Sequence, residues 1–273
     1  MAEVDRLRRA AAELRADVVE TIHAAGSGHV GGSLSCAEVL TVLYEAVMRV
    51  RPAEPDWPGR DRLILSKGHA APALYAVLAR KGYFPRERLG ELRRVGGGLQ
   101  GHPSMRDTPG VEMSTGSLGM GLSVGVGMAL AARADGADWR VFVLCGDGEL
   151  DEGQNWEALM AGAKWRLGNL VPVIDRNGVQ LDGPTEEVMP LGAVASKLAA
   201  FGWHFVRCDG HDPASLLEAF DAAIGWDGPA AVVARTVKGK GVSFMEGRAE
   251  WHGRPIGDED CARAMAELRS AIG

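Results

Sequence analysis

The chain has 273 residues, of which 46% are hydrophobic and 24% are charged, close to the averages of soluble globular domains. Thirty Lys and Arg residues against 36 Asp and Glu residues give a net charge of -6. This composition excludes a disordered or collagen-like chain and a strongly basic surface, so we expect no nucleic-acid partner.

Cysteine spacing indicates the compartment. The four cysteines lie far apart and form no CxxC pair, so the sequence predicts neither a zinc site nor a disulfide framework. The N-terminus is charged and lacks the apolar centre of a signal peptide. We therefore expect a protein of the reducing cytoplasm.

The N-terminal third is predicted to be helical. Apolar residues recur at steps of three and four over residues 3–24, which predicts an amphipathic helix. A glycine-rich turn is expected over residues 26–32. Ser35, followed three residues later by Glu38, forms a capping-box pattern that predicts a helix to about Met48. Residues 51–60 carry three prolines and are predicted to be a loop.

Strand and helix patterns alternate through the rest of the chain. Short apolar runs predict buried strands at residues 62–65, 141–145, 170–174, 203–207 and 230–234. Helical periodicity follows most of them, near residues 70–80, 153–165, 191–201 and 214–224. This alternation predicts an α/β fold, a parallel sheet with helices on both faces, and we expect one domain over residues 1–273.

One uncharged stretch, residues 114–132, is nearly long enough to span a bilayer. It contains five glycines and three serines, which lower its hydrophobicity. We interpret it as a glycine-rich loop leading into a buried helix, and we expect no membrane association.

Polar residues follow two of the predicted strands. Gly146-Asp147-Gly148-Glu149 ends the strand at 141–145, and Asn177 with Val179 comes 30 residues after Asp147, beyond the next strand. If the two strands are neighbours, Asp147, the Asn177 amide and the Val179 carbonyl can hold Mg²⁺ together with diphosphate oxygens. Taken alone, the Asp147 segment is more typical of an ordinary turn in which the Asp side chain bonds its own backbone.

This pair of segments resembles the thiamine diphosphate and magnesium motif. Further blocks look like the ordered signatures of the transketolase family, and they run from residue 26 to residue 253, almost the whole chain. They are GSGHVGG at 26–32, LSKGH at 65–69, GHP at 101–103, STGSLG at 114–119 and WHG at 251–253.

The resemblance implies roles for four histidines. His69 and His252 would approach the cofactor diphosphate. His29, His102 and His252 would line the substrate channel, bond sugar hydroxyls and act catalytically. Imidazole suits this work because its ordinary pKa, near 6.5, lets it donate or accept a proton near neutral pH.

The resemblance also implies a cofactor site for thiamine diphosphate with Mg²⁺, or with Ca²⁺ or Mn²⁺ in its place. Asp147, Asn177 and the Val179 carbonyl would hold the metal, Asn177 would also belong to the cofactor site, and the Gly148 N–H would bind the diphosphate.

Other positions complete the implied site. Gly116 and Leu118 would contact the aminopyrimidine end of the cofactor. Glu152 matches an acid that meets its symmetry mate across the family's dimer interface, but an acid favoured by a helix N-terminus is an equal alternative. Lys238, in the segment KGKG, would either begin a loop over the diphosphate or lie in a solvated turn, and the second interpretation is slightly favoured.

The implied reaction transfers a two-carbon ketol unit from a ketose donor, usually phosphorylated, to an aldose. The chain matches only the family's diphosphate-binding domain. We therefore expect a partner subunit with the pyrimidine-binding and C-terminal domains, and an α2β2 heterotetramer serving the pentose phosphate pathway or a specialised one.

Two alternatives remain open at this point. The α-type subunit of a thiamine-dependent 2-oxo acid dehydrogenase has a similar metal motif but is not expected to carry the four histidines. A non-catalytic paralogue with a binding or regulatory role would keep the fold, although intact metal ligands argue against it.

Overall fold

The computed structural model describes residues 1–272, and its centre is a five-stranded parallel sheet with the order β1-β2-β3-β5-β4. All five predicted strands are confirmed, with ends that differ by one or two residues. They are β1 (Arg62–Leu65), β2 (Val141–Gly146), β3 (Leu170–Arg176), β4 (His204–Asp209) and β5 (Ala230–Arg235).

Helices cover both faces of the sheet, as predicted. They are α1 (Ala2–Ala25), α2 (Val30–Ser35), α3 (Ala37–Val42), α4 (Ala71–Lys81), α5 (Met120–Ala134), α6 (Gly153–Lys164), α7 (Thr185–Val188), α8 (Val194–Ala200), α9 (Pro213–Ile224) and α10 (Asp258–Ile272). Shorter helical turns cover Leu43–Val47, Gly68–Ala70, Arg86–Glu91, Gly148–Asp151 and Ala249–His252.

Two hydrophobic cores follow from the alternation of side chains along the strands. Phe142 and Leu144 of β2 point into the core formed with α1, α3, α4, α9 and α10. Val141 and Val143 point to the opposite face, where α5, α6 and α8 pack. β1, β2, β3 and β5 are largely buried, so their sequences are mainly apolar runs. β4 was predicted to be buried, but it lies at an edge of the sheet, is partly exposed and carries Arg207 and Asp209.

The glycine-rich segment at 114–132 divides as predicted into a loop and a helix. α5 begins at Met120 and buries one face, including Leu122, Val126 and Ala129. Within the part of the chain that the structure describes, no helix is both long and apolar enough to cross a membrane.

The predicted turn at residues 26–32 is partly wrong, because α2 already begins at Val30. A Cβ on Gly31 would lie 2.9 Å from the Trp251 carbonyl oxygen, and one on Gly32 would lie 3.0 Å from His69 Nε2. These glycines therefore serve close packing within a helix rather than a turn.

The predicted capping box is also wrong. Ser35 ends α2, and its hydroxyl donates to Asp175 Oδ2 at 2.6 Å. α3 begins after Cys36 without a side-chain cap, and Glu38 bonds Arg15 and His211 instead. The helix expected to reach Met48 ends at Val42 and continues as a wider π-helical turn. The predicted helix at 191–201 begins only at Val194.

A buried ion pair joins the carboxyl ends of β1 and β3. Lys67 Nζ lies 2.5 Å from Asp175 Oδ2, and the two side chains are 1% and 0% exposed. Lys67 also donates to the Gly32 carbonyl at 2.8 Å, and the Thr236 hydroxyl, just after β5, donates to Asp175. Burial by itself would lower the pKa of Lys67, but the Asp175 carboxylate raises it above its ordinary value.

We predict that Lys67→Met destabilises the protein by about 3–5 kcal/mol, because it leaves the Asp175 carboxylate buried without its cation. The free energy of unfolding from urea denaturation measures the effect. Lys81→Met is the matched control: its ion pair with Glu45, at 3.6 Å, is partly exposed, and its loss should cost less than about 1 kcal/mol. Equal losses in both variants would contradict the structural importance of the buried pair.

Candidate active site

The two segments predicted to form a metal site are brought together by the pairing of β2 with β3. Gly146 and Asp175 are register partners at the carboxyl ends of these strands. Asp147 Oδ2 accepts from the Gly178 N–H at 2.6 Å, and Oδ1 accepts from the Gly148 N–H at 3.0 Å. Asp147 is thus 1% exposed and bound to both segments.

A cavity of about 160 Å³ lies at this end of the sheet. Most of the predicted site residues line it: His69, Leu118, Asp147, Gly148, Asn177, Val179 and His252. Lys67, Glu149 and Lys238 line the same cavity, although the first two had no predicted role. Glu152 is not among its lining residues.

The other predicted histidines lie beside the cavity. The ring centre of His29 is 5.4 Å from that of His69, 5.3 Å from that of His252 and 6.3 Å from that of His102. A Cβ on Gly116 would lie 3.2 Å from the His102 ring, so Gly116 also belongs to this group. Four histidines that are distant in sequence therefore form one cluster.

The cluster favours neutral imidazoles. Burial lowers the pKa of His29 to about 4 and that of His252 to about 3, and nearby cationic side chains add to both shifts. The pKa of His69 is lowered well below its ordinary value, mainly by burial, and that of His102 is lowered by burial and by Arg93. Nδ1 of His29 is buried without a hydrogen-bond partner. A neutral ring with a free polar atom can bond a hydroxyl group of a ligand.

Lys238 is buried, 1% exposed, so the interpretation of a solvated turn is wrong. Its ammonium lies 3.2 Å from the Val179 carbonyl oxygen, 3.1 Å from that of Gln180 and 2.8 Å from His252 Nδ1. None of these partners is a carboxylate, and burial lowers the pKa of Lys238 to about 8. The charge of this lysine is therefore available to an anion in the cavity.

Of the two glutamates in the segment that follows β2, Glu149 is buried and Glu152 is exposed. Glu149 is 3% exposed and accepts hydrogen bonds from Ser66, the Gly119 N–H and the Gly146 N–H. Burial raises its pKa despite these bonds. Glu152 is exposed at the position that precedes α6, and its side chain makes no capping bond, so its interfacial role stays a prediction.

The donor set beside Asp147 fits a hard divalent cation. The Asp147 carboxylate, the Asn177 amide and the Val179 carbonyl supply oxygen ligands, as Mg²⁺ prefers. Burial, together with Asp175, raises the pKa of Asp147 to about 6, which a bound cation would reverse. Among residues 1–272, no group of three or more His, Cys, Asp or Glu side chains is arranged to hold a metal ion. A cation at Asp147 would therefore need further oxygen ligands from a bound molecule or water.

Three charged residues at this end of the sheet had no role predicted from sequence: Lys67, Glu149 and Asp175. Lys67 lies within a block in which only His69 was expected to bind the cofactor, and Asp175 lies within the metal segment. A buried lysine cannot be told from a solvated one by local pattern. Its burial follows only from the meeting of β1, β3 and α2.

Comparison with known proteins identifies the family. The family model described as "Transketolase, thiamine diphosphate binding domain" matches residues 7–272. The chain therefore belongs to the family of transketolase thiamine diphosphate-binding domains, as the resemblance implied.

Relatives and solved structures agree with this assignment. The chain is 47% identical to the 6-deoxy-6-sulfo-D-fructose transketolase subunit SqwG of Clostridium sp. (strain MSTE9), covering 96% of both chains. It is 44% identical to one subunit of the apulose-4-phosphate transketolase of Phocaeicola vulgatus, covering 97% of this chain and 95% of that one. The crystal structure of Campylobacter jejuni transketolase matches with a TM-score of 0.90 and 31% identity over 97% of this chain, but only 43% of that chain is covered.

We predict that His29 and His252 stay neutral in the folded protein down to pH 5, because burial and neighbouring cations lower their pKa values. NMR titration of the ring Cε1–H signals measures this, with His204→Gln and other single variants used for assignment. Midpoints near 6.5 would contradict the burial argument. Because unfolded histidines protonate near pH 6.5, the free energy of unfolding should fall as the pH decreases from 6.5 toward 4.

Proposed function

We propose that this chain is the diphosphate-binding subunit of a two-chain transketolase, which moves a two-carbon ketol unit from a ketose to an aldose with thiamine diphosphate. The observation that carries the proposal is the meeting, at one cavity, of Asp147 and Asn177 with a buried lysine and a cluster of neutral histidines. Oxygen ligands and a cation suit a metal-bound diphosphate, and neutral imidazoles suit a sugar.

The cofactor would lie along this cavity. The Lys238 ammonium, the Gly148 N–H, His69 and His252 would bind the diphosphate, and Gly116 with Leu118 would contact the aminopyrimidine end. A Cβ on Gly148 would lie 2.8 Å from the Gln180 Cβ, so glycine is needed for the two cavity walls to approach each other. Lys238 is compatible with this role because it is buried and its hydrogen-bond partners among residues 1–272 are two carbonyls and His252.

The metal would be held by Asp147, the Asn177 amide oxygen and the Val179 carbonyl. Mg²⁺ is the proposed ion, with Ca²⁺ or Mn²⁺ as substitutes. The Val179 carbonyl accepts from the Lys238 ammonium at 3.2 Å, so the proposed cation and diphosphate sites would lie next to each other. The donor set thus separates two tasks: oxygens for the cation and Lys238 for the phosphate charge.

Thiamine diphosphate, when bound, supplies the carbanion chemistry that breaks and forms the carbon–carbon bond. The histidines of this chain orient the sugar and handle protons at its hydroxyl groups. His29 offers its unpartnered Nδ1 for such a bond. His102, the most exposed of the four, lies toward the entrance, while His252 is held by Lys238 at its Nδ1.

The donor is proposed to carry an anionic group. Arg93 lies beside His102 and lowers the pKa values of His29 and His102 through its charge. Its backbone is left-handed, with φ of 57°, and its guanidinium donates to Ser27 Oγ at 2.6 Å. The names of two relatives include a sulfonated and a phosphorylated sugar, which supports an anionic ketose.

A partner chain would complete the active site. The two relatives that this chain covers over 95–96% of their length are called transketolase subunits, which supports a two-chain enzyme. The partner would supply the pyrimidine-binding and C-terminal domains, in an α2β2 heterotetramer. Glu152 would meet its symmetry mate at an interface of this assembly, since it is exposed in the single chain.

The remaining proposals concern context. Residues 1–273 would form one domain, and the enzyme would serve the pentose phosphate pathway or a specialised sugar pathway in the cytoplasm. Free thiols at all four cysteines are compatible with a reducing compartment. The Clostridium and Phocaeicola relatives are transketolases, so nothing in them supports the 2-oxo acid dehydrogenase alternative.

We expect the purified chain alone to show no ketol transfer with thiamine diphosphate and Mg²⁺, because residues 7–272 match only a thiamine diphosphate binding domain and the proposed partner would supply the pyrimidine-binding domain. Addition of the partner subunit, obtained by copurification from the native host, should restore turnover on a panel of phosphorylated and sulfonated ketoses. A coupled assay of aldose formation measures this. Activity of the chain without any partner would contradict the two-chain proposal.

Asp147→Asn in the reconstituted complex should weaken Mg²⁺-dependent binding of thiamine diphosphate by at least about 100-fold, because it removes the only charged oxygen ligand. Isothermal titration with and without chelator measures the affinity. Asp182→Asn is the matched control, since Asp182 is exposed and should leave the affinity unchanged. Unchanged affinity in Asp147→Asn would place the metal elsewhere.

A further inference from the structure

His211 links a buried ion pair to the segment that carries Lys238. It follows β4, far in sequence from the four clustered histidines, and its side chain is 13% exposed. Its Nδ1 lies 3.0 Å from Glu38 Oε2, and its Nε2 accepts from the Val237 N–H at 2.8 Å. The residue next to Val237 is the buried lysine of the cavity.

The hydrogen bonds define the tautomer of His211. A backbone N–H can only donate, so Nε2 must carry the lone pair that accepts from Val237. Nδ1 then carries the proton and donates to the Glu38 carboxylate. The ring is thus neutral, and each of its nitrogens has one partner.

Glu38 is itself held in place. It is 8% exposed as a side chain and paired with Arg15, which is 7% exposed, so the acceptor of the His211 proton is a buried carboxylate with its own cation. Arg15 belongs to α1 and Glu38 to α3. The orientation of the His211 ring is therefore set by two helices of the N-terminal third.

The turn that carries His211 packs directly on the segment it contacts. A Cβ on Gly210 would lie 2.4 Å from the Thr236 Cγ2, so only glycine allows this approach. On the other side of the contact, the Thr236 hydroxyl donates to Asp175. Residues 236 and 237 are thus fixed from two directions, by the central ion pair and by His211.

We propose that His211 is a positioning residue that fixes the Val237 backbone and so holds the Lys238 ammonium in the cavity, ready for an anionic ligand. It touches neither the cavity nor the reacting groups, and it acts only through the Val237 N–H. This inference rests on the proposed function, because the anion that it serves is the cofactor diphosphate.

Two variants separate the two contacts of the ring. The Gln side chain reaches about as far as Nε2 and keeps an acceptor for Val237, whereas Asn reaches only as far as Nδ1 and keeps a partner for Glu38. In the reconstituted complex, His211→Asn should weaken thiamine diphosphate binding about tenfold, or ~1.4 kcal/mol, and His211→Gln by less than about threefold. A larger loss of affinity in His211→Gln than in His211→Asn would show that the contact with Glu38 matters and not the contact with Val237, and it would overturn the proposal. Native affinity in both variants would also overturn it.

Measurements without cofactor test the same inference independently. Hydrogen exchange at the Val237 amide of the full chain should be faster in His211→Asn than in the native chain and His211→Gln. Ring ¹⁵N shifts of native His211 should show a protonated Nδ1 and a bare Nε2, and the opposite tautomer would overturn the proposal even if a variant failed to fold. His204→Gln is the control, because His204 stacks on Trp226 at 4.0 Å on the sheet edge.

The outcomes for His211 and for the proposed function are distinguishable. If Asp147→Asn leaves cofactor binding intact, the assigned metal site fails, while the tautomer and exchange results still report on Val237. If Asp147→Asn abolishes binding but the exchange rate at Val237 does not respond to His211→Asn, only the positioning role is lost.

Discussion

The buried pair of Lys67 and Asp175 is the interaction on which the active end of the sheet depends. Two charges removed from water cost several kcal/mol each unless every donor and acceptor is satisfied. Here the partners come from α2, β1, β3 and the segment after β5. The Asp175 carbonyl also accepts from the Asp147 N–H at 3.2 Å, so the same residue fixes the proposed metal ligand.

This constraint distinguishes the two buried lysines of the site. The charge of Lys67 is neutralised by Asp175, whereas the ammonium of Lys238 makes its close contacts with two carbonyls and an imidazole. Two buried lysines 171 positions apart thus have different tasks, one structural and one available for binding. His211 has a structural task as well, because its Nε2 bonds the backbone N–H of Val237 and no ligand.

The sheet and most residues that line the cavity were predictable because their signals are local. Apolar runs marked the strands, and glycine-flanked histidines in family blocks marked the cavity wall. The failures at polar side chains involve contacts between distant segments: Ser35 bonds Asp175 instead of capping a helix, Glu38 pairs with Arg15, and Lys238 is buried. In each case the local sequence pattern predicts one role for a polar side chain, but in the folded chain the side chain contacts a distant segment instead.

The buried ammonium of Lys238 is unfavourable for folding but favourable for binding an anion. A buried ammonium with neutral partners is unfavourable, which is why burial lowers its pKa to about 8. His252 can accept from it only while Nδ1 is unprotonated, and the depressed pKa of that ring, about 3, keeps it so. Binding of a diphosphate would supply the missing counter-charge and remove this cost. That gain would contribute to the affinity of the chain for an anionic ligand.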